Sequence, residues 1–297
     1  MTDLLLNERE LRFQLYELLD TAALLQRPRY AEHDREVFDA SLGTARQIAR
    51  ELFAPHNHKG DANEPTFDGQ RVHLIPETKL AWDAFAEAGF LAAHHDFADG
   101  GLQLPEVLLR ACMAYFNAAN IATVAYSFLS IGATNLVKAF ASPALRTRFL
   151  APMLDGRFSG TMALTEPGQG SALGDLRTLA RPAENGSYRI FGQKMFISGG
   201  DHELTENIVH LVLARIEGAP AGTKGISLFL VPKFLVEADG RVGARNDVAL
   251  AGLLHKMGYR NTTSTVLSFG EGDGAVGYLL GEANQGLSYM FQMMNEA

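Results

Sequence analysis

Glycines, hydroxyl groups and one aromatic side chain between residues 161 and 200 are the most chemically informative part of the chain. The stretch TMALTEPGQGSALG covers residues 161–174, and QKMFISGG covers residues 193–200. In the first stretch a predicted strand ends at Thr165 and leads into a Pro-Gly-x-Gly-Ser loop. Its glycines lack the Cβ atom that would keep a ligand away from the backbone. The strand-end backbone and the Thr165 hydroxyl can therefore hydrogen-bond the polar edge of a heteroaromatic ring.

The second stretch supplies a flat surface next to a hydroxyl. Phe196 and Ser198 are two residues apart on a predicted strand, so their side chains share one face of the sheet. This combination suits a planar ring bound against the strand. The alternative is a turn at the rim of a barrel with Phe196 in the core, and the residues alone leave both interpretations open.

Other kinds of site find little support. Gly168, Gly170 and Gly174 lack the dinucleotide-binding spacing, and they do not open a helix after a parallel strand. The sequence contains no Walker motif and no G-x-S-x-G nucleophile motif. Among nine histidines only the pairs 56/58 and 94/95 are close, without further ligands at helical spacing, so we expect no metal site.

The composition is that of a soluble globular protein. The chain has 297 residues, 47% of them hydrophobic and 20% charged, which is enough for two domains. A formal net charge of −8 argues against nucleic-acid binding, although an anionic ligand held by a few local cations stays possible. The single cysteine, Cys112, excludes an intrachain disulfide and is expected to be a small buried side chain.

An uncharged run covers residues 111–137 and is long enough to cross a bilayer. Amide and hydroxyl side chains are spread through it, and these are costly in lipid. We therefore expect two buried helices and no membrane span. The N-terminus carries acidic residues around a three-residue apolar run, unlike a signal peptide, so a cytoplasmic location is expected.

Hydrophobic periodicity predicts an α+β protein. The helical pattern covers 11–19, 34–54, 76–89, a pair of helices over 105–140, and 142–150. Short strand-like runs follow at 158–165, 187–191, 193–198, 208–214, 226–231 and 264–269, with an Asn185-Gly186 hairpin signal. Because no helices separate these strands, the sheet is expected to be antiparallel and barrel-like.

The helical pattern returns at the end of the chain. Over 284–297, the side chains of Leu287, Met290, Phe291 and Met294 share one helical face, for which the sequence offers no partner. We interpret this segment as the start of a further helical domain. The predicted domains are thus an all-α domain (1–157), an antiparallel β-barrel domain (158–282) and the first helix of a truncated domain (283–297).

Three motifs occur in order: TMALTEPGQGS, KMFISGG and HKMG at 255–258. Together they resemble the acyl-CoA dehydrogenases, over nearly the whole chain, and most closely the longer branch that includes 3-methylmercaptopropionyl-CoA dehydrogenase-like enzymes. The resemblance implies a helical domain, a β-barrel middle domain, a C-terminal four-helix domain and bound FAD.

The resemblance also implies roles for particular residues. The cofactor-binding set is Met162, Leu164, Thr165, Gly170, Ser171, Phe196, Ile197 and Ser198. Within it, Ser171 is placed where the flavin crosses the pantetheine arm of the CoA substrate, Phe196 against the isoalloxazine, and Ser198 near flavin N5. Relatives often have an aromatic residue in place of Met162, tryptophan in place of Phe196, and aspartate in place of Ala172.

The implied reaction is α,β-dehydrogenation of an acyl-CoA to the trans-2-enoyl-CoA, with electrons passing to an electron-transfer flavoprotein. The base glutamate of the family is expected beyond Ala297, so no catalytic residue is assigned here, and Glu166 is placed in the loop motif. The 297 residues alone are expected to be inactive, and the full-length protein to be a homo-oligomer. The alternatives are a flavin oxidase or monooxygenase of the same fold, or a non-catalytic CoA-binding or assembly protein if the chain is naturally this short.

Overall fold

Helices make up the first half of the chain. A computed structural model describes residues 5–183 and 185–296. The helices are α1 (Glu8–Arg12, continued by a π-helical turn over Phe13–Leu18), α2 (Arg35–Ile48), α3 (Asn57–Ala62), α4 (Pro76–Glu87), α5 (Glu106–Phe140), α6 (Pro143–Leu154) and, near the C-terminus, α7 (Gly286–Glu296). Proline occupies the first turn of α4 and of α6, and Ser142 caps α6 by accepting a hydrogen bond from Leu145 N. The predicted helical first half is therefore confirmed, with one addition: residues 66–67 and 72–73 pair as a short antiparallel hairpin.

Strands dominate the rest of the chain, and two short strands lie in the first half. They are β1 (Thr66–Phe67), β2 (Val72–His73), β3 (Phe158–Ala163), β4 (Leu179–Pro182), β5 (Tyr188–Ser198), β6 (Asn207–Ile216), β7 (Ile226–Pro232), β8 (Phe234–Val236), β9 (Val242–Arg245), β10 (Val248–Leu253), β11 (Ser264–Phe269) and β12 (Ala275–Leu279). The hairpin predicted at Asn185-Gly186 joins β4 to β5, with Gly186 at φ +76° and Pro182 opposite Tyr188. Glu184 lies outside the described residues.

The main sheet contains a closed ring of strands. Within the described residues it has eight strands, in the order β10-β11-β5-β12-β7-β6-β3, and β4 pairs with both β5 and β6. The pairings β5–β12, β12–β7, β7–β6, β6–β4 and β4–β5 return to their starting strand. The predicted barrel-like architecture is therefore confirmed.

Two of the pairings differ from the antiparallel sheet that we expected. Strand β6 pairs in parallel with the whole of β3, from Phe158 opposite Asn207 to Ala163 opposite Val212. It is also parallel to β4. The long connection from β3 through β4 and β5 leaves room for this crossover, so no intervening helix is needed. Since α5 covers β3 from outside, β6 and β3 are buried on both faces, as is usual for parallel pairs.

Helix α5 is the central buried element, and it is broken at Asn120. This residue has φ −163° and ψ 87°, so two helical segments meet there, as predicted for the uncharged run. The Asn120 side chain bonds across the break, accepting from Thr123 N at 3.0 Å and donating to Phe53 O at 3.2 Å. By length and hydropathy α5 could cross a membrane, but 67% of its most apolar window is buried inside the fold. Cys112 is fully buried in α5, as predicted, and burial raises the pKa of its thiol to about 12.

Helix α7 has partners within the described residues, which corrects the expectation of an unpartnered face. Met290 and Met293 are fully buried against α5 and β7, and the ring of Tyr289 stacks on Phe140 at 4.1 Å between centroids. Phe291 and Met294 stay partly exposed, at 47% and 39%. The buried stripe is therefore rotated by about one residue from the predicted one. The proposed boundaries between the domains stay predictions.

Candidate functional site

The end of β3 meets the middle of β5 at the predicted site. Met195 N donates a hydrogen bond to Thr165 O over 2.9 Å, and Lys194 Nζ donates to Leu164 O over 2.9 Å. Met162, two residues before Leu164, is partly buried and packs on the core beneath. The structure thus brings the first predicted stretch, 162–165, directly against the second, which continues as Phe196, Ile197 and Ser198.

A buried ion pair holds this junction. Lys194 has no exposed surface and Glu166 is 5% exposed, and Lys194 Nζ lies 2.9 Å from Glu166 Oε1. The carboxylate also accepts hydrogen bonds from Arg177 N at 2.8 Å, Thr178 N at 3.0 Å and Thr178 Oγ1 at 2.5 Å. Burial raises the pKa of Glu166, but the Lys194 charge and these donors outweigh it, so the net pKa is lowered. Glu166 therefore acts as the anchor of the loop.

The loop after Glu166 is a tight turn with open space around it. Glu166 and Gln169 exchange backbone hydrogen bonds at 2.9 and 3.0 Å across Gly168, which has φ +86°. A Cβ added at Gly168 or Gly170 would meet no atom within 4 Å. Ser171 is exposed beyond this turn. The loop therefore leaves room for a ligand to approach its backbone, at the end of the loop opposite the Thr165 contact.

Strand β5 carries a bulge at the predicted ring-binding position. Ile197 faces Thr265 and Lys194 faces Leu267 on β11, so β5 has one extra residue in this interval. Phe196 lies in the bulge with φ +59°, a left-handed conformation that is uncommon for an aromatic residue. Its side chain is 60% exposed, which rules out the alternative that placed it in the core. Strain of this kind is often found at functional sites.

The two residues after the bulge differ in what they present. The Ile197 side chain is 2% exposed and belongs to the barrel core, while its carbonyl accepts a 2.9 Å hydrogen bond from Thr265 Oγ1. Ser198 is half-buried and pairs with Ser264. Phe196 and Ser198 are thus the two members of this strip with side chains outside the core. We name residues 196–198 the flavin strip, after the role implied by the sequence resemblance.

Sequence reasoning missed two features of this site. It gave Lys194 no role, although a lysine that begins the apolar run 195–197 of a predicted strand needs an acidic partner if it is buried, and Glu166 lies in the neighbouring motif. It also treated β5 as regular, because no glycine, proline or asparagine marks Phe196 as the position with positive φ.

Family models match the two parts of the fold. The acyl-CoA dehydrogenase N-terminal domain matches residues 38–157, and the acyl-CoA dehydrogenase middle domain matches residues 161–271. Among solved structures, Caenorhabditis elegans ACDH-11 in complex with C11-CoA aligns with a TM-score of 0.73 at 19% identity, covering 97% of this chain and 47% of that one. An acyl-CoA dehydrogenase from Bacillus anthracis complexed with FAD aligns with a TM-score of 0.70 at 21% identity, covering 89% and 40%.

Proteins with similar sequences are also acyl-CoA dehydrogenases. The 3-methylmercaptopropionyl-CoA dehydrogenase of Ruegeria pomeroyi is 37% identical over 289 residues, covering 97% of this chain and 49% of the relative. A butyryl-CoA dehydrogenase of Syntrophomonas wolfei is 37% identical over 298 residues with the same coverage. The chain therefore spans about half the length of these relatives. With both domain models matched in order from residue 38 to residue 271, the chain belongs to the acyl-CoA dehydrogenase family.

Proposed function

We propose that this chain is the flavin-binding part of an FAD-dependent acyl-CoA dehydrogenase, which converts an acyl-CoA to the trans-2-enoyl-CoA. The observation that carries the proposal is the geometry of Phe196. The strand bulges, the backbone adopts a left-handed conformation, and a large aromatic ring stays 60% exposed beside a half-buried serine. A fold has little reason to keep such an arrangement unless the ring contacts a ligand.

The described residues fit a flavin. Phe196 offers the flat surface, Thr165 and Ser198 offer hydroxyl groups, and the backbone of Met162, Leu164 and Ile197 frames the same junction. At Gly170 an added Cβ would meet no atom within 4 Å, which leaves space beside the loop backbone for a ligand. When bound, FAD would accept the β-hydrogen of the substrate as a hydride. The chain itself would orient the ring and, through hydroxyl and backbone donors, stabilise the negative charge that develops on it.

The substrate side of the proposal rests on Ser171 and on the family. Ser171 is exposed at the end of the loop, where it can donate to the pantetheine arm of an acyl-CoA. We propose an electron-transfer flavoprotein as electron acceptor and a homo-oligomeric full-length enzyme. The cytoplasmic location expected from the sequence belongs to the same proposal.

Glu166 is not proposed as the base that removes the α-proton. Its carboxylate is buried and already accepts hydrogen bonds from Lys194, Arg177 and Thr178. A lowered pKa also makes it a weak proton acceptor. Without Lys194, the buried Glu166 carboxylate would have no opposite charge to pair with. The chain therefore uses this carboxylate for structure.

The test is performed on the protein expressed from its whole reading frame. We expect visible flavin absorbance and reduction of a redox dye with butyryl-CoA or a related acyl-CoA. Oxygen consumption in place of dye reduction would indicate a flavin oxidase instead. A pure, folded protein without flavin and without turnover would contradict the proposal. Phe196→Ala should lower flavin occupancy, whereas Phe13→Ala, an exposed phenylalanine in the π-helical turn after α1, should not.

A further inference from the structure

Tyr126 on helix α5 holds the segment that lies beside the flavin strip. Its side chain is 2% exposed, and its hydroxyl makes two hydrogen bonds to one loop. Tyr126 Oη donates to Asn261 O at 3.1 Å and accepts from Thr263 N at 2.9 Å. Burial raises the pKa of the phenol to about 12, so the hydroxyl stays protonated and can make both bonds at once. A single side chain thus satisfies a buried carbonyl and a buried amide.

The loop held in this way, residues 261–263, is inserted into the helical part of the molecule. All three residues are at most 2% exposed. Asn261 Nδ2 donates to Thr78 Oγ1 at 2.8 Å and to Thr123 Oγ1 at 3.1 Å, and Thr262 Oγ1 donates to Ala122 O at 2.5 Å. A Cβ added to Gly60 would lie 2.9 Å from the Asn261 side chain, so the insertion is tight. We call residues 261–263 the plug.

The plug continues directly into the strand that pairs with the flavin strip. Ser264 is opposite Ser198, and Gly199 N donates to Thr263 O at 3.0 Å. The ring of Tyr126 also lies next to Gly199, the residue that follows the strip, since a Cβ added to Gly199 would lie 3.3 Å from Tyr126 Cδ1. Gly199 also has φ +64°. Both this left-handed backbone conformation and the nearby Tyr126 ring therefore favour glycine at this position. Tyr126 is therefore connected to Ser198 through a single residue, Gly199.

The same turn of α5 also fixes β3. Ser130 Oγ donates to Tyr126 O at 2.7 Å and accepts from Gly160 N at 3.0 Å. Gly160 lies so close to the helix that an added Cβ would be 2.3 Å from the Cβ of Ala133. One helical turn therefore locates both strands that carry the predicted flavin contacts, β3 ending before Thr165 and β5 ending at Ser198.

We propose that Tyr126 is a positioning residue for the flavin: through the plug and Gly199 it sets the place of the flavin strip relative to the end of β3. The inference rests on the proposed function, since it assigns the strip to the cofactor. Tyr126 itself touches neither the substrate nor the ring in this assignment. Its effect is exerted through the backbone of residues 198, 199 and 263.

The experiment compares Tyr126→Phe with Tyr16→Phe in the protein expressed from its whole reading frame. Tyr16 is the matched control, because its hydroxyl donates to Asp39 at 2.8 Å in the helical part and has no contact with the plug. Each variant loses one tyrosine hydroxyl and keeps the ring. We measure the visible flavin spectrum, the reduction potential of the bound flavin, and kcat and KM for acyl-CoA.

Tyr126→Phe is expected to shift the flavin spectrum and potential and to lower kcat by about tenfold, because a small misplacement of reacting groups is costly, while KM changes by less than about twofold. Tyr16→Phe is expected to change none of these. Ser130→Ala, which frees Gly160 N, should alter the same flavin properties from the β3 side.

The outcomes separate the two proposals. A wild-type protein with flavin and turnover, in which Tyr126→Phe and Ser130→Ala leave spectrum, potential and kcat unchanged, would overturn the positioning role alone. Equal changes in Tyr16→Phe would also overturn it, since they would show a general loss of stability. A wild-type protein without flavin would overturn the proposed function together with the positioning role.

Discussion

Lys194 and Glu166 are two charged residues that the fold has removed from water. Such burial is costly unless each charge keeps a partner and its hydrogen-bonding groups are satisfied. Here Lys194 donates to Leu164 O and Glu166, and Glu166 accepts three further hydrogen bonds from the next segment of the chain. The pair therefore links β3, the glycine loop and β5 at one point.

Glu166→Gln is expected to destabilise the fold by about 3–5 kcal/mol, because Lys194 would lose its counter-charge in a dry environment, where burial already lowers its pKa to about 8. The measurement is the free energy of unfolding in urea. Glu217→Gln is the control: Glu217 pairs with Arg181 with both side chains more than half exposed, and its loss should cost less than about 1 kcal/mol. Equal losses in the two variants would contradict the role assigned to the buried pair.

The pH dependence of stability follows from the lowered pKa of Glu166. As pH falls below the ordinary value of 4.5, the unfolded chain binds a proton that the folded chain does not, so stability decreases. The loss is completed as pH passes through the lowered folded pKa. Glu166→Gln lacks this titration, so the stability difference between wild type and variant should narrow from pH 7 toward acid. A stability difference between wild type and variant that grows toward acid pH would contradict the lowered pKa of Glu166.

Phe196 is expected to carry a cost in stability that its function requires. A non-glycine residue in the left-handed region is strained by roughly 1–2 kcal/mol. Phe196→Gly should relieve the strain, whereas Phe196→Ala removes the ring and keeps the strain, so the glycine variant should be the more stable by about 1 kcal/mol. Both should bind flavin more weakly. Thermal unfolding and flavin titration measure the two effects, and a more stable alanine variant would refute the assignment of strain.

At the level of elements, α5 packs very closely on β3 at Gly160. Gly160→Ala would place a methyl group against Ala133, and overpacking of this kind costs about 1–3 kcal/mol. The double variant Gly160→Ala with Ala133→Gly should recover part of the loss in thermal unfolding. Gly170→Ala, where the space is open, should change stability by less than about 0.5 kcal/mol. If the double variant were no more stable than Gly160→Ala alone, the contact with Ala133 would not be the cause of the lost stability.

The sequence predicted those elements whose signal is local. Strand β11 has the predicted bounds 264–269, and the run over 105–140 forms two helical segments as predicted, although the position of their break at Asn120 was not predicted. The parallel pairing of β3 with β6 could not be predicted, because it depends on which distant strands meet. The buried stripe of α7 was misplaced because its partners on α5 and β7 are remote in sequence. The bulge at Phe196 depends on the register of β11, which no residue of β5 encodes.

At the scale of the whole molecule, the length of the chain bears on the proposed function. The chain spans about half the length of its relatives, and its flavin strip leaves Phe196 60% exposed. We therefore expect the 297 residues alone to bind flavin weakly and to show no dye reduction with butyryl-CoA. The protein from the whole reading frame, prepared in parallel, is the control. Robust turnover by the 297 residues would contradict this expectation.

The closed ring of strands constrains the order in which the protein can be completed during synthesis. Strand β12 bridges β5 and β7, with Ala275 opposite Ile190 and Tyr278 opposite Leu230, so it joins segments translated well before it. Until residues 275–279 leave the ribosome, both neighbours expose an unpaired backbone edge, which is a template for pairing with other nascent chains. A translational pause shortly before this strand would prolong that exposure.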